Sequence, residues 1–138
     1  MSTEENKALV RRFWEEVNKR NVGVVDELLD ASFVFHRPAG QEVRGPEGVK
    51  QELSMLLTAF PDLHWTIEDM VAEGDKVAAR TTITGTHQGE FMGIAATGKR
   101  VTWTEIYIPR IVGGKYVEAW EEFDQLGLMQ QIGAIPSG

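Results

Sequence analysis

Any chemistry in this 138-residue chain falls to carboxylates and imidazoles. There is no cysteine, so thiol nucleophiles and disulfides are excluded. No serine stands in the strand-to-helix turn that would make it a nucleophile. The three histidines, His36, His64 and His87, lack any paired metal-ligand spacing, and neither a metal nor a cofactor is expected. Acids gather instead near the C-terminus, where Glu118, Glu121, Glu122 and Asp124 stand beside Trp120 and Phe123. The alternating run Tyr116-Val117-Glu118-Ala119-Trp120 predicts a half-buried strand. Period-two geometry puts Glu118, Trp120, Glu122 and Asp124 on one face of it, an aromatic wall with carboxylates attached.

The element before that strand has to position this wall. Residues 101–112 read as another strand, and Gly113-Gly114 is a two-residue hairpin signal. Such a turn sets Val112 opposite Lys115, Tyr107 opposite Trp120, Glu105 opposite Glu122 and Trp103 opposite Asp124. One face then collects Trp103, Glu105, Tyr107, Trp120, Glu122 and Asp124, a mixture that suits a pocket with a few polar groups in apolar walls. The plain alternative is an exposed acidic face with aromatics packed at its edge. A bulge would exchange the faces.

Upstream, the pattern is helical. Ser2-Thr3-Glu4-Glu5 spells a capping box, and Leu9, Val10, Phe13, Trp14 and Val17 form one apolar stripe. A short second helix carries Val24, Val25, Leu28 and Leu29. Phe33-Val34-Phe35-His36 is a short strand that runs into a polar loop, 37–45. A third helix opens at Gly45-Pro46 and buries Val49, Leu53, Leu56, Leu57 and Phe60. After Pro61 the period changes to two. Strands follow from Leu63 to a Gly74-Asp75 turn and from Val77 to Thr86, and then a glycine-studded loop, 87–99. The run Gly93-Ile94-Ala95-Ala96-Thr97-Gly98-Lys99 imitates a phosphate-binding loop. It lacks the Ser or Thr after its lysine and leads into a strand instead of a helix, so it is a connection. Helices followed by long antiparallel strands give an α+β fold. A curved, mainly antiparallel sheet around three N-terminal helices would enclose a cone-shaped cavity, lined by the hairpin face and by helix residues such as Trp14 and Phe60.

Composition narrows the function classes. The chain is long enough for one domain, 1–138, that buries about two-thirds of its unfolded surface. A net charge of −7 without a basic stripe argues against nucleic acid. No apolar run approaches the roughly 20 residues that span a bilayer, and the acidic N-terminus has no signal-like apolar segment. A cytoplasmic protein without a membrane partner is expected.

Four ordered pieces resemble the SnoaL-like polyketide cyclases of the nuclear-transport-factor-2-like superfamily. They are the first helix with Phe33-Val34-Phe35-His36; Phe60-Pro61-Asp62-Leu63-His64; Arg80 through Gly85-Thr86-His87-Gln88-Gly89; and Gly114-Lys115 through Trp120, Asp124, Gly127-Leu128 and Gln131-Ile132-Gly133. The resemblance implies a conical (cystatin-like) α+β fold and a cofactor-free intramolecular aldol closure with an acid–base aspartate, which matches Asp124. His87 and His36 are then the proton partners or carbonyl donors, and Arg80 steadies an enolate or carboxylate. It also implies a small hydrophobic substrate or ligand and a homodimer through the outer sheet face, where Ile106, Ile108, Val117 and Phe123 are expected. Tyr107, Pro109 and Ala119 depart from residues common in the family, so the substrate does not carry over. A non-catalytic binding module, or an epoxide hydrolase or dehydratase of the same superfamily, are the alternatives.

Overall fold

The structure, a computed structural model, describes residues 2–136. Helix α1, Thr3–Asn18, starts with the expected capping box: Glu5 N donates to Ser2 Oγ (3.1 Å) and Ser2 N to Glu5 Oε1 (3.0 Å). Its buried stripe is Val10, Phe13, Trp14 and Val17. At its far end the Asn18 amide pairs with both backbone groups of Trp65, each at 2.9 Å, and so pins the helix to the sheet. Helix α2 (Gly23–Leu28) runs straight into β1 (Leu29–His36). A 3-10 turn, Pro38–Gly40, and the short strand β2 (Glu42–Arg44) precede helix α3, Gly45–Ala59. Then come β3 (His64–Glu73), β4 (Lys76–Thr86), β5 (Arg100–Val112), β6 (Lys115–Phe123) and helix α4, Gln125–Gln131.

The six strands form one sheet in the order β2-β1-β6-β5-β4-β3. Every neighbour pair is antiparallel except β1 with β6, which run parallel. The fold is the expected α+β arrangement, with helices against a mostly antiparallel sheet. One difference is that the helical half contributes a second strand, β2, besides the expected one at β1. β2 is three residues on an exposed edge, too short and too polar for periodicity to register. Aromatic side chains bind the layers together. Trp14 stacks on Trp65 (ring centroids 5.3 Å apart) and meets the edge of Tyr107 (5.5 Å), while Phe13 lies 5.3 Å from Tyr116. Such pairs contribute about 0.5–1.5 kcal/mol each beyond area burial.

The hairpin between β5 and β6 begins in the expected register, Val112 opposite Lys115. It does not keep it. Ile111 pairs with Tyr116 but Arg110 pairs with Glu118, so Val117 is an extra residue on β6. Beyond this bulge, Ile108 faces Trp120, Tyr107 faces Glu121 and Glu105 faces Phe123. The side-chain period of two makes a one-residue slip exchange the faces. Ala119, Glu121 and Phe123 therefore sit on the inner face with Trp103, Glu105 and Tyr107, while Glu118, Trp120 and Glu122 sit on the outer one.

Two tertiary contacts hold the ends of the cavity. The 87–99 loop docks on the C-terminus of α3, whose Ala59 carbonyl accepts from Gln88 N (2.9 Å) and Gly89 N (3.0 Å). Gly89 is required there, because a Cβ would collide with the Thr58 carbonyl. The phosphate-loop-like spelling is indeed part of this connection and leads into β5. Downstream, β6 stops at Phe123, and the Gln131 amide takes over its ladder: Thr102 N donates to Gln131 Oε1 (2.8 Å) and Gln131 Nε2 to Thr102 O (2.7 Å).

Candidate active site

Between α1, α3 and the inner sheet face lies a cavity in two parts. An outer chamber of about 740 Å³ is walled by Ile83, Phe91, Trp103, Phe123 and Leu128, among others. An inner recess of about 60 Å³ reaches behind it to Phe13, Leu29, Phe33, Val49 and Leu53. Arg37, Glu52, Leu56, Trp65, Glu105 and Glu121 line both and mark the boundary.

Each of these polar residues is brought in by a different element. Glu105 comes from β5, Glu121 from β6 past the bulge, Arg37 from the end of β1 and Glu52 from α3. Parallel pairing of β1 with β6, with His36 opposite Trp120, carries Arg37 alongside Glu121. Arg37 Nε donates to Glu121 Oε2 (3.2 Å) and Arg37 Nη1 to Glu52 Oε2 (2.7 Å). The guanidinium thus ties the helix to the sheet and neutralises charge where water is scarce, since Glu105 is 6% and Glu121 9% exposed.

Burial pushes the Glu105 carboxyl well above the usual carboxylate range, and the charge of the neighbouring Glu121 pushes it further. Glu121 is raised too, chiefly by burial, but Arg37 pulls it back. The pair therefore titrates together, with the proton residing on Glu105 and the negative charge on Glu121 beside the guanidinium. Tyr107, also buried, is pushed upward by desolvation and stays a neutral phenol. A proton acceptor and a proton donor thus stand side by side in an aromatic-walled site, which is what enolisation next to a carbonyl requires.

Several expected site residues are elsewhere. Asp124 is exposed and serves as the N-cap of α4, its Oδ1 accepting from Gly127 N at 2.9 Å. Its place at the cavity goes to Glu121, because the Val117 bulge turned the face over. Trp120 and Glu122 lie on the outer face for the same reason. Trp120 is stacked by His36 (5.5 Å) and approached by Lys76 Nζ (5.6 Å). His36 is thereby also outside, with Nε2 2.7 Å from Glu118 Oε2. His87 is fully buried but lines neither part of the cavity. Its Nδ1 engages Thr97 Oγ1 (3.0 Å) and accepts from Thr97 N (3.3 Å), and so it clasps the 87–99 loop. Arg80 is on the surface, paired with Asp69 at 3.0 Å. Phe60 is core behind the wall, 5.5 Å from Trp103 and 5.2 Å from Phe91. Of the expected outer-face residues, Ile106 and Ile108 are there; Phe123 lines the chamber and Val117 is the bulge.

Trp14, Trp103, Glu105 and Tyr107 do line the cavity. Arg37, Glu52, Trp65, Glu121 and Phe123 were missed. One signal was available for Glu52: it falls between Val49 and Leu56 at helix-core spacing, an acid on an apolar stripe. Arg37 carried none, being a polar residue in a polar loop.

The sheet and its helices define an α+β protein of the nuclear-transport-factor-2-like type, and here they enclose a buried carboxyl pair. The sequence profile of SnoaL-like polyketide cyclases matches residues 8–132, and the chain belongs to that family. It is 32% identical over 131 residues to aklanonic acid methyl ester cyclase DnrD of Streptomyces peucetius, covering 91% of this chain and 88% of that one. Among solved structures it resembles AclR of Streptomyces galilaeus, a hydroxylase candidate (TM-score 0.90, 35% identity, 99% of this chain and 86% of that one). It also resembles TsrD of Streptomyces laurentii (TM-score 0.87, 32% identity, 98% and 99% covered). The curated relatives are named cyclases, in keeping with an enzyme of cyclase or isomerase type. No described helix is long and apolar enough to cross a membrane.

Proposed function

We propose that this protein is a cofactor-independent cyclase that enolises a neutral, largely apolar carbonyl compound and closes a ring by aldol addition. One observation carries the reading: the buried Glu105–Glu121 pair at the waist of an aromatic cavity, with Glu105 held high by burial and Glu121 drawn back by Arg37. Glu121 takes a proton from the carbon next to a carbonyl. The C–H electrons move into an enolate whose oxygen receives a hydrogen bond from the Glu105 acid. The enolate carbon then attacks a second carbonyl of the same molecule, and the alkoxide formed takes back the proton held by Glu121. Both proton transfers are thus covered by the pair, which is what favours a cofactor-free route. A neutral carboxylic acid acting as donor in an apolar site is an established device in another enzyme, ketosteroid isomerase.

Charge supports a neutral substrate. Arg37 is the only cation lining the chamber or the recess among the described residues, and it is already engaged by two carboxylates. A chamber of about 740 Å³ has the size of ordinary small-molecule sites. The relatives' aklanonic acid methyl ester, an esterified and uncharged carbonyl compound by its name, is the first substrate to try. The decisive experiment follows two readouts in D2O, ring closure of that ester and exchange of the α-protons of simple aryl ketones. Neither closure nor exchange, with saturable binding of the same compounds, would make the protein a binding module instead. A cytoplasmic homodimer remains our reading of the assembly, favoured by the lack of cysteine and by apolar Val71, Ile106 and Ile108 on the outer face.

A further inference from the structure

The two parts of the cavity differ in kind as well as in size. All four charged residues of the recess wall are shared with the outer chamber, so they stand at its entrance. The walls found only in the recess are Phe13, Trp14, Leu29, Phe33, Phe35, Val49, Leu53 and the ring of Tyr107, nearly all of them buried core. Its volume of about 60 Å³ equals the liquid share of about two water molecules. Beyond that entrance aliphatic and aromatic carbon dominates the walls, with the Tyr107 hydroxyl and the unpartnered Trp14 Nε1 as the polar exceptions, so an ordered water finds few of the two to four partners it needs. Most of its deep walls belong to α1, β1 and α3. What fits is an arm of one or two saturated carbons.

From this we infer that the recess is a subsite for a short unbranched alkyl arm carried by the carbon from which Glu121 removes the proton. The inference rests on the acid–base reading above, and it adds a regiochemical consequence. The large end of the substrate, whose rings suit Phe91, Trp103 and Phe123, stays in the outer chamber. The carbonyl lies between Glu105 and Glu121. The enolisable carbon lies at the boundary, and only a short apolar terminus extends past it. Val49 and Leu53, one α-helical turn apart on α3, form the floor and set the length that is accepted.

The test uses the intact protein and a homologous series of phenyl ketones, from acetophenone through propiophenone, butyrophenone and valerophenone to hexanophenone. Dissociation constants are measured by titration calorimetry. Each added methylene that finds the recess should tighten binding about fourfold, with the optimum at propiophenone or butyrophenone and weaker binding beyond. Leu53→Ala should move the optimum outward by about two carbons; Val49→Ala, a smaller change less prone to unfold the protein, should move it by about one. Affinity that is flat from acetophenone onward, or that climbs unbroken to hexanophenone, overturns the subsite. So does an optimum that neither variant moves. The same ketones report the underlying reading separately through α-proton exchange in D2O. Exchange without a chain-length optimum leaves the acid–base site standing and removes the subsite; an optimum without exchange does the reverse.

Discussion

Replacing Glu121 by Gln turns the carboxylate beside Arg37 into a neutral amide of the same shape. Little else should change. Arg37 keeps its 2.7 Å bond to Glu52, the amide oxygen still accepts from Arg37 Nε, and the wall aromatics are untouched. The proton acceptor is gone, however, and loss of a general base costs about 100-fold or more in rate, equivalent to about 2.7 kcal/mol of barrier. Glu105→Gln is a gentler change. The amide N–H still donates to an enolate, but it is a weaker donor than a carboxylic acid, so we expect about a tenfold decrease. The two substitutions act on one step, and the double variant should lose less than the product of the singles. The pH profile separates the roles. Activity should rise as Glu121 ionises, above the ordinary carboxylate value of 4.5, and fall again when Glu105 gives up its proton at higher pH. Glu105→Gln should abolish the alkaline fall while keeping the acid rise. The assay is α-proton exchange of an aryl ketone followed by NMR. An exchanging wild type whose Glu121→Gln variant stays within threefold of it, or a Glu105→Gln variant with the alkaline fall intact, would refute the assignment.

Three further outcomes are expected. Asp124→Asn should leave turnover within twofold and stability nearly unchanged, since Asn caps helices as well as Asp, whereas Asp124→Ala should cost about 1 kcal/mol, seen as a lower thermal midpoint. Because Glu105 keeps its proton in the folded state and releases it near 4.5 when unfolded, the native state binds more protons above that value. Stability should therefore decline as pH rises from about 4.5 towards the raised value, and Glu105→Gln should flatten the decline in urea unfolding series; an equally steep decline in the variant would mean another group is responsible. Light scattering at micromolar concentration should report twice the 15.4 kDa chain mass, and Ile108→Glu on the outer face should halve it; a monomeric wild type would dispose of the dimer.

What could be read along the chain was local. The capping box at Ser2 and Glu5, the stripes of α1 and α3, the Gly113-Gly114 turn and the change of period after Pro61 each depend on residues a few positions apart, and all were legible. Several residues that carry the family resemblance hold the structure together. His87 clasps a loop, Gly89 admits the α3 carbonyl, Asp124 caps α4 with Gly127 beside it, and Gln131 extends the β5 ladder. The site itself depended on two decisions that no local pattern records. One is the bulge at Val117: strand periodicity predicts alternation, but a single unpaired residue inverts it, exchanging Trp120 and Glu122 for Glu121 and Phe123. The other is the parallel pairing of β1 with β6, which brings Arg37 to Glu121 across more than eighty residues of chain. Local composition therefore determined which elements form and that acids and aromatics would share a sheet. Tertiary structure decided which acids are buried together, because burial and proximity, the two causes of the shifted pair, are properties of the packed sheet and not of any segment of it.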